Sequence, residues 1–364
     1  LDTRCCVPVA HVQHRPKRTE QLQFEMDLRW IPPIFELQMK VIFGIINLYE
    51  PQHSNSLKCT KKRESRIKEC ARECDPEHTP FCVNVRGISG ARKRQKRVRN
   101  KRQPRKMTAV IRQGRFVLMI RLIMVLVVLV GFLIVSYPFL VAQVSLGKKD
   151  PHARDLESIR VVRAVFRCLL KLAGVTITVK GEENIPKDTA VLYVGNHRSY
   201  FDILTGYTTV PTLLGFVAKK EMEKIPILRT WMVNVNCLFL DRKNIKEGLK
   251  TILQGIEKVK NGISIWIFPE GTRNTNEDIT ELLPFKEGSL KIAEKSGCPV
   301  IPVAMTGTAE VLEKHFPFIT PSHITVYYGK PINIKELDPE DRKHPGAYTR
   351  NVLIGMLKEM QEEK

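Results

Sequence analysis

Apolar residues dominate one stretch of the chain, from Leu122 to Gly147, in which 26 consecutive residues carry no charged side chain. About 20 apolar residues are enough for a helix to cross the hydrocarbon core of a bilayer. The run is longer than the apolar region of a secretory signal peptide, and it lacks a small-residue cleavage site before a secreted-type sequence. The pattern therefore predicts a membrane helix, with a break near Tyr137-Pro138 because proline interrupts helical hydrogen bonding.

A second helix is predicted over Ile159–Val175, with a different distribution of charge. Arg160, Arg163, Arg167 and Lys171 fall within an arc of about 80° at 100° per residue, and apolar residues fill the rest of the circumference. A cationic stripe on a broad apolar surface favours a helix lying in the headgroup layer. The alternative is a core helix with one solvent-exposed face. Together with the apolar run, this helix would form a two-helix hairpin in one leaflet, and a single crossing fits the pattern equally well.

Beyond residue 175, short apolar runs alternate with helical spacing. Helical periodicity is clear over 245–259 and again over 352–360. Seven strands are predicted at Val175–Val179, Ala190–Gly195, Gly215–Ala218, Val235–Leu240, Ile263–Phe268, Val300–Met305 and Ile324–Tyr328. Alternation of this kind predicts an α/β layered domain with a partly parallel sheet.

Charge sets the first part of the chain apart. The formal net charge is +21, and residues 1–106 hold more than half of that excess together with six of the nine cysteines. Hydrophobic periodicity is poor there, so the tract has no means of burying a core. We expect it to be disordered or to lie upstream of the native start, with Met107 or Met119 as the first residue; otherwise it is a solvated basic tail. The chain then divides into the basic tract 1–106, a membrane segment with its interfacial helix at 107–175, and an α/β domain at 176–364.

Two functions suggested by the basic tract are weakly supported. Cys70, Cys74, His78 and Cys82 are spaced four apart, whereas zinc sites usually combine short cysteine pairs with a second, separate pair of ligands. Segments that bind single-stranded nucleic acid usually combine basic residues with aromatic residues on which the bases stack. The cluster of lysines and arginines over 92–106 contains no aromatic residue. We expect neither a metal site nor a nucleic-acid partner.

The later cysteines have a different setting. Cys168, Cys237 and Cys298 each lie in an apolar stretch and are far apart in sequence. This scatter predicts reduced, buried thiols in a domain that faces the cytosol.

The first candidate for chemistry follows the strand predicted at 190–195. His197 and Asp202 are five residues apart, and on one continuous helix their side chains would diverge by about 140°. They can meet if His197 lies in a strand-to-helix loop and Asp202 on the first turn of the helix. A carboxylate then fixes the tautomer of the imidazole and leaves its other nitrogen free to accept a proton. A loop histidine beside a helix-capping aspartate would give the same spacing without any chemistry.

The second candidate is the turn that follows the strand predicted at 263–268. It reads Pro269-Glu270-Gly271-Thr272-Arg273. Ligands of α/β sheets bind at strand ends, and a guanidinium can hold a phosphate through two hydrogen bonds. The alternative is a plain polar turn with a surface Arg–Glu pair.

These segments together resemble the signature motifs of the glycerolipid acyltransferases, and most of all their 1-acyl-sn-glycerol-3-phosphate (lysophosphatidic acid) acyltransferase branch. The similar segments are, in order, Asn196-His197-x4-Asp202, Phe239-Leu240-Asp241-Arg242, Phe268-Pro269-Glu270-Gly271-Thr272-Arg273, Leu283-Pro284-Phe285-Lys286-Glu287-Gly288 and Val300-Ile301-Pro302-Val303. The resemblance covers about residues 115–364. One departure is Asn236, where relatives often carry glycine, and it concerns the shape of a turn.

The resemblance implies an O-acyltransferase that converts 1-acylglycerol 3-phosphate to phosphatidic acid in phospholipid biosynthesis. His197 would be the general base and Asp202 would orient it, while Arg242 and Arg273 would hold the phosphate of the acceptor. Glu270, Gly271 and Thr272 would shape the substrate pocket.

The same resemblance implies the donor and the location. The acyl group would come from acyl-CoA or acyl-carrier protein, without an acyl-enzyme intermediate, a metal or an organic cofactor. The partners would be the lipid bilayer, lysophosphatidic acid and the donor, and the domain would face the cytosol. Lys148, Lys149, Arg154 and Arg160, just after the apolar run, agree with an excess of positive charge on the cytosolic side.

Three other functions compete. The same fold acylates glycerol 3-phosphate or another lysophospholipid in related enzymes, so the acceptor rests on analogy. A membrane-anchored, basic nucleic-acid-binding protein would use only the lysines and arginines of 92–106. A non-catalytic lipid carrier would have no need of both His197 and Asp202.

Overall fold

The computed structural model describes residues 103–363, with side chains from residue 116 onward. The predictions made for the basic tract, including the cluster at Cys70, Cys74, His78 and Cys82, lie outside the described residues. The last four residues of that tract, 103–106, are described and form the start of the first helix.

Three helices precede the sheet. They are α1 (Gln103–Val135), α2 (Tyr137–Lys149) and α3 (Pro151–Ala173). The break between α1 and α2 falls at Ser136, directly before Tyr137-Pro138, and this confirms the predicted interruption. Asp150 begins α3, because its Oδ1 accepts a hydrogen bond from the backbone N–H of Ala153 at 2.9 Å. Helices α1 and α2 both pack against α3, so the three form a hairpin.

Helix α1 carries the apolar surface. Within the described residues, Phe116–Val135 is the one helical segment long and apolar enough to cross a membrane, and only 6% of its most apolar window is buried in the protein. Apolar side chains such as Ile123, Val127 and Val130 are at least half exposed. Exposed apolar surface on this scale is typical of contact with lipid or with another protein.

Helix α3 differs from the interfacial helix favoured by the sequence. Its apolar side chains are covered by protein, and Ile159, Val162 and Leu169 are among eleven buried residues. Arg163, predicted to face the headgroups, instead donates hydrogen bonds to four backbone carbonyls of residues 207, 210, 211 and 212. Burial lowers the pKa of Arg163 to about 10. The alternative, a core helix with one exposed face, is the correct description of α3.

All seven predicted strands are present, with small shifts in their ends. They are β1 (Thr176–Lys180), β2 (Leu192–Gly195), β3 (Leu214–Lys219), β4 (Leu238–Leu240), β5 (Ser264–Ile267), β6 (Val300–Thr306) and β7 (His323–Tyr328). They form one sheet in the order β1-β7-β6-β2-β5-β3-β4. Every neighbouring pair is parallel except β6 and β7. The predicted α/β fold with a partly parallel sheet is confirmed.

Six further helices connect and cover the strands: α4 (Phe201–Thr209), α5 (Pro226–Asn234), α6 (Ile245–Lys260), α7 (Lys291–Ser296), α8 (Pro339–Lys343) and α9 (Pro345–Glu362). Helix α3 packs against α4 and α5, while α6 packs against α7. The two helices predicted at 245–259 and 352–360 are therefore confirmed as α6 and α9. Helix α6 is turned differently from its apolar pattern, because the small residues Thr251 and Gly255 face the core while Leu249 and Leu253 are more than half exposed.

The turn before β4 explains the departure from the family pattern. Asn236 has a φ of 62°, a left-handed conformation that glycine adopts without strain and that asparagine tolerates better than most residues. Its amide nitrogen donates to Asp155 Oδ2 at 2.7 Å, and its amide oxygen accepts from Lys258 Nζ at 2.6 Å. Asparagine is therefore tolerated in this left-handed turn, and its side chain adds hydrogen bonds that link α3 to α6.

The strand ends decide where the motifs meet. The carboxyl ends of β2, β3, β4, β5 and β6 lie along one edge of the sheet, because these five strands run parallel. The motifs that carry His197, Arg242 and Arg273 each follow one of these strands. The edge therefore gathers segments that are far apart in sequence, as parallel sheets with bound ligands commonly do.

Candidate active site

His197 and Asp202 meet as the spacing predicted. His197 lies in the loop after β2, and Asp202 is in the first turn of α4. His197 Nδ1 is 2.8 Å from Asp202 Oδ2. The carboxylate is 1% exposed and the imidazole side chain 17% exposed, so the pair faces solvent only through the ring of His197.

Asp202 is held from the backbone as well. The same oxygen, Oδ2, accepts hydrogen bonds from the N–H groups of Arg198 at 2.7 Å and Ser199 at 2.8 Å. Asp202 is therefore the acceptor toward His197, and this contact favours the tautomer with the proton on Nδ1. Nε2 is then the nitrogen with a free lone pair, and it is the atom that can act as a base.

The ring of His197 has a fixed orientation. It stacks on the ring of Phe268, with centroids 4.1 Å apart and planes inclined by 12°. The backbone around it is fixed too, because His197 N donates to Glu270 Oε1 at 2.9 Å and Asn274 N donates to His197 O at 2.7 Å. The turn after β5 therefore holds the loop after β2.

Asn196 joins this loop to a third strand. Its side chain donates to the carbonyl of Met305 at 2.9 Å and accepts from the N–H of the same residue at 2.8 Å. The residue is 1% exposed. This paired contact explains why an asparagine precedes the histidine, since its carboxamide binds the carbonyl and the N–H of Met305 in β6 at once.

Glu270 is buried, and its carboxylate contacts the backbone of two other segments. Both oxygens accept backbone hydrogen bonds, one from His197 and the other from Leu283 at 3.0 Å, and the residue is 4% exposed. Burial raises the pKa of its carboxyl group above the ordinary value, although the two backbone donors oppose this shift. With both oxygens accepting backbone hydrogen bonds, Glu270 positions the loop of His197.

Gly271 gives the turn its shape. Its φ of 72° lies in the left-handed region, and a Cβ at this position would come within 3.1 Å of the Lys286 side chain. The carbonyl of Gly271 accepts a hydrogen bond from Arg242 Nη1. The motif after β4 is therefore brought against the motif after β5, and Thr272 is exposed beside them.

Arg273 lies on the same turn but has partners of its own. Its Nη1 is 3.1 Å from Glu313 Oε1, and its guanidinium carbon is 4.0 Å from the centroid of the Tyr200 ring. The arginine side chain remains 36% exposed, so part of the guanidinium is available to a ligand.

Sequence reasoning missed a basic cleft at the carboxyl ends of β3 and β4. Arg242 shares a cavity of about 470 Å³ with four lysines, Lys219, Lys220, Lys224 and Lys243. Lys220 Nζ is 3.9 Å from Asp241 Oδ2 and 3.7 Å from Glu247 Oε2, so its charge is only partly neutralised. The double lysine at the end of a predicted strand was the available signal, because strand ends are where anionic ligands bind.

The later cysteines are as predicted. Cys168, Cys237 and Cys298 are free thiols and buried. Burial raises the pKa of all three, so they are unreactive at neutral pH. Over the described part of the chain, no group of three or more His, Cys, Asp or Glu side chains is arranged to hold a metal ion.

Comparisons with known proteins agree with this geometry. The family model described as "Acyltransferase" matches residues 176–306, which contain all five similar segments in full and all seven site residues. The 1-acyl-sn-glycerol-3-phosphate acyltransferase of Saccharomyces cerevisiae is 27% identical over 248 residues, 68% of this chain and 80% of that protein. The protein of the same name from Borreliella burgdorferi is 30% identical over 200 residues, 55% of this chain and 79% of its own length.

A solved structure shares the fold. The crystal structure of the 1-acyl-sn-glycerophosphate (LPA) acyltransferase PlsC from Thermotoga maritima matches with a TM-score of 0.55 and 27% identity, covering 69% of this chain and 97% of that one. The motifs, the sheet that gathers them and the relatives all agree. This chain belongs to the 1-acyl-sn-glycerol-3-phosphate acyltransferase family.

Proposed function

We propose that this chain transfers a fatty acyl group to the sn-2 hydroxyl of 1-acylglycerol 3-phosphate and so forms phosphatidic acid. The observation that carries the proposal is the pair of His197 and Asp202, with Nδ1 and Oδ2 2.8 Å apart and Nε2 free. Arginine and lysine side chains beside it supply the positive charge that a phosphate monoester needs. An acyl-CoA or acyl-carrier-protein thioester would be the donor.

The reaction needs one base. His197 Nε2 removes the proton of the hydroxyl while the oxygen attacks the carbonyl carbon of the thioester. Asp202 stabilises the imidazolium that forms. Collapse of the tetrahedral intermediate breaks the carbon–sulfur bond, and the leaving thiolate takes the proton back from the imidazolium. No enzyme nucleophile enters this scheme, and because the thioester is already activated we propose that neither a metal nor an organic cofactor takes part.

The phosphate of the acceptor would bind at the basic cleft. Arg242 lies at its edge with one nitrogen on Gly271 O, and Lys220 lies across the same cavity. Arg273 would contribute from the neighbouring turn. Glu270 would position the base, Gly271 would shape the turn, and exposed Thr272 would contact the acceptor beside Arg273.

A lipid acceptor requires access from a bilayer. Helix α1 exposes an apolar segment long enough to enter one, and Lys148 and Lys149 end the helix that follows. Positive charge beside an apolar segment favours the cytosolic side. We therefore propose a membrane-associated protein whose α/β domain faces the cytosol, where the thioester donor is found.

Acyl transfer measured with several acceptors tests the function. Purified protein in detergent is given acyl-CoA with lysophosphatidate, glycerol 3-phosphate or monoacylglycerol in parallel, and then acyl-carrier protein as the donor. We expect phosphatidate from lysophosphatidate and little product from the other two acceptors. A preference for glycerol 3-phosphate would overturn the proposed acceptor, and no transfer from either donor would overturn the activity.

A further inference from the structure

Glu313 lies in the segment between β6 and β7, outside every motif recognised in the sequence. It begins a short 3-10 helix, Glu313–His315, and its side chain is 21% exposed. Its Oε1 accepts from Arg273 Nη1 at 3.1 Å and from the backbone N–H of Tyr200 at 2.9 Å. Its Oε2 accepts from Ser199 Oγ at 2.6 Å. One carboxylate thus joins three strand ends.

The contacts of Arg273 identify what Glu313 holds in place. The guanidinium is bound to Glu313 at one nitrogen and lies over the exposed ring of Tyr200, a favourable cation–π arrangement. An arginine side chain fixed by two neighbours loses less conformational freedom when a ligand binds. Its remaining N–H groups can still meet a phosphate, because the guanidinium has five donors in a planar fork.

The same carboxylate is linked to the base. Ser199, bound to Oε2 of Glu313, donates its own backbone N–H to Asp202 Oδ2 at 2.8 Å. Asp202 in turn binds His197. A continuous set of contacts therefore runs from Arg273 through Glu313 to the catalytic pair, and the spacing between phosphate and base depends on it.

We propose that Glu313 is a positioning residue. It holds Arg273 where the guanidinium can bind the phosphate of the acceptor, and it sets the position of Arg273 relative to His197. The proposal rests on the proposed function, since it takes the ligand of Arg273 to be a phosphate monoester lipid. It predicts that loss of Glu313 weakens acceptor binding specifically, because the donor thioester is not held by Arg273.

Two substitutions at Glu313 separate the effect of its charge from the effect of its shape on acceptor binding. Glu313→Ala removes every contact, and loss of hydrogen bonds to a charged partner should weaken lysophosphatidate binding by about tenfold. Glu313→Gln keeps the shape and most hydrogen bonds but removes the charge, so its effect should be smaller. Glu310→Ala is the matched control, because Glu310 lies three residues earlier and, among the residues that the structure describes, its carboxylate pairs with Lys314 and His315 alone.

The experiment measures equilibrium binding of lysophosphatidate to full-length protein in detergent, together with KM for acceptor and donor. We expect the Kd for lysophosphatidate and the KM for the acceptor to be unchanged in Glu310→Ala, raised in Glu313→Gln and raised further in Glu313→Ala. The KM for the donor should stay constant in all three variants. In the double variant with Arg273→Ala, adding Glu313→Ala should weaken binding no further.

Other results would overturn the proposal. These are an unchanged Kd in both Glu313 variants, equal effects on donor and acceptor, or fully additive losses in the double variant. Wild-type protein that binds lysophosphatidate but transfers no acyl group would refute the proposed function while the binding series still decides the role of Glu313. Wild-type protein that does not bind lysophosphatidate would refute both.

Discussion

At the residue scale, the imidazole of His197 has one nitrogen bound to Asp202 and one left for the acceptor. His197→Ala removes the base, and general-base catalysis contributes roughly 10²–10⁴ to a rate. We expect kcat to fall by that factor with the thermal unfolding midpoint little changed, since the side chain makes no other hydrogen bond within the described residues. His344→Ala is the matched control, because His344 is an exposed histidine directly before α9 and lies outside the motifs.

Asp202→Asn tests the partner separately. The asparagine side chain can still accept a hydrogen bond from His197 but carries no negative charge. The protonated form of the imidazole therefore loses its electrostatic stabilisation. We expect kcat to fall heavily but less than in His197→Ala. Near-normal turnover in His197→Ala would exclude His197 as the base, whatever the result for Asp202.

Glu270 should make stability depend on pH. Its pKa is raised in the folded state by burial, so the folded chain binds that proton more tightly than the unfolded chain. Its contribution to stability is therefore present below the ordinary pKa and is lost as pH rises through the folded value. Thermal unfolding of wild type and Glu270→Gln, compared over about pH 4 to 8, should favour wild type increasingly as pH falls. A constant difference would contradict this.

The sequence was informative at this scale where residues close in the chain cooperate. His197 and Asp202 are five residues apart, so their spacing and the predicted strand before them were enough to foresee the contact. The ionic partner of Arg273 could not be foreseen, because Glu313 lies 40 residues further along the chain and belongs to no motif. The two backbone partners of Glu270 could not be foreseen either, because nothing in the sequence of the turn shows that its carboxylate is buried.

At the element scale, helix α3 shows why hydrophobic periodicity predicted the helix but not whether lipid or protein covers its apolar side. An amphipathic pattern reports which side chains avoid water, and lipid and protein both satisfy it. The deciding contacts are those of Arg163 with the carbonyls at the end of α4 and just beyond it, some 44 to 49 residues later in the chain. Carbonyls in the last turn of a helix lack partners within the helix, so a guanidinium can bind several backbone oxygens there at once. The strands were predicted better because each is a short apolar run between clear turns, and the central strands β2, β5 and β6 are buried along their whole length.

The turn at Asn236 yields a prediction about the joint between α3 and α6. Asn236→Ala loses the contacts with Asp155 and Lys258 and places a side chain that disfavours φ of 62° at that position. Asn236→Gly loses the same contacts but adopts this φ freely. We expect urea unfolding to show the alanine variant less stable than the glycine variant by about 1 kcal/mol.

The control for this comparison is Asn261, an asparagine at a helix end with a negative φ of −90°. There the order should reverse, because glycine brings extra freedom to the unfolded chain without relieving any strain. The same order at both positions would show that the left-handed backbone at Asn236 is not what separates the variants.

At the scale of the whole molecule, the described chain combines a hairpin with one exposed apolar helix and a sheet whose polar motifs share one edge. The hairpin is tied to the α/β domain by specific contacts: Trp231 Nε1 donates to Ser136 Oγ at 2.9 Å, and Asn236 Nδ2 donates to Asp155 Oδ2 at 2.7 Å. An α/β domain attached in this way is held close to any bilayer that α1 enters. Lysophosphatidate could then reach the basic cleft without leaving the interface.

The last prediction tests that attachment. Val127 and Val130 are 60% and 51% exposed, so replacing both with lysine disturbs few contacts within the protein. If α1 lies in the hydrocarbon core, each lysine costs about 2.5–3.5 kcal/mol, and the doubly substituted chain should move from the membrane pellet to the supernatant after ultracentrifugation. Leu253→Lys is the control, because Leu253 is 56% exposed on α6 and should leave membrane association unchanged. Retention of the Val127 and Val130 variant in the pellet, with its thermal unfolding intact, would show that α1 is not what holds this protein to the membrane.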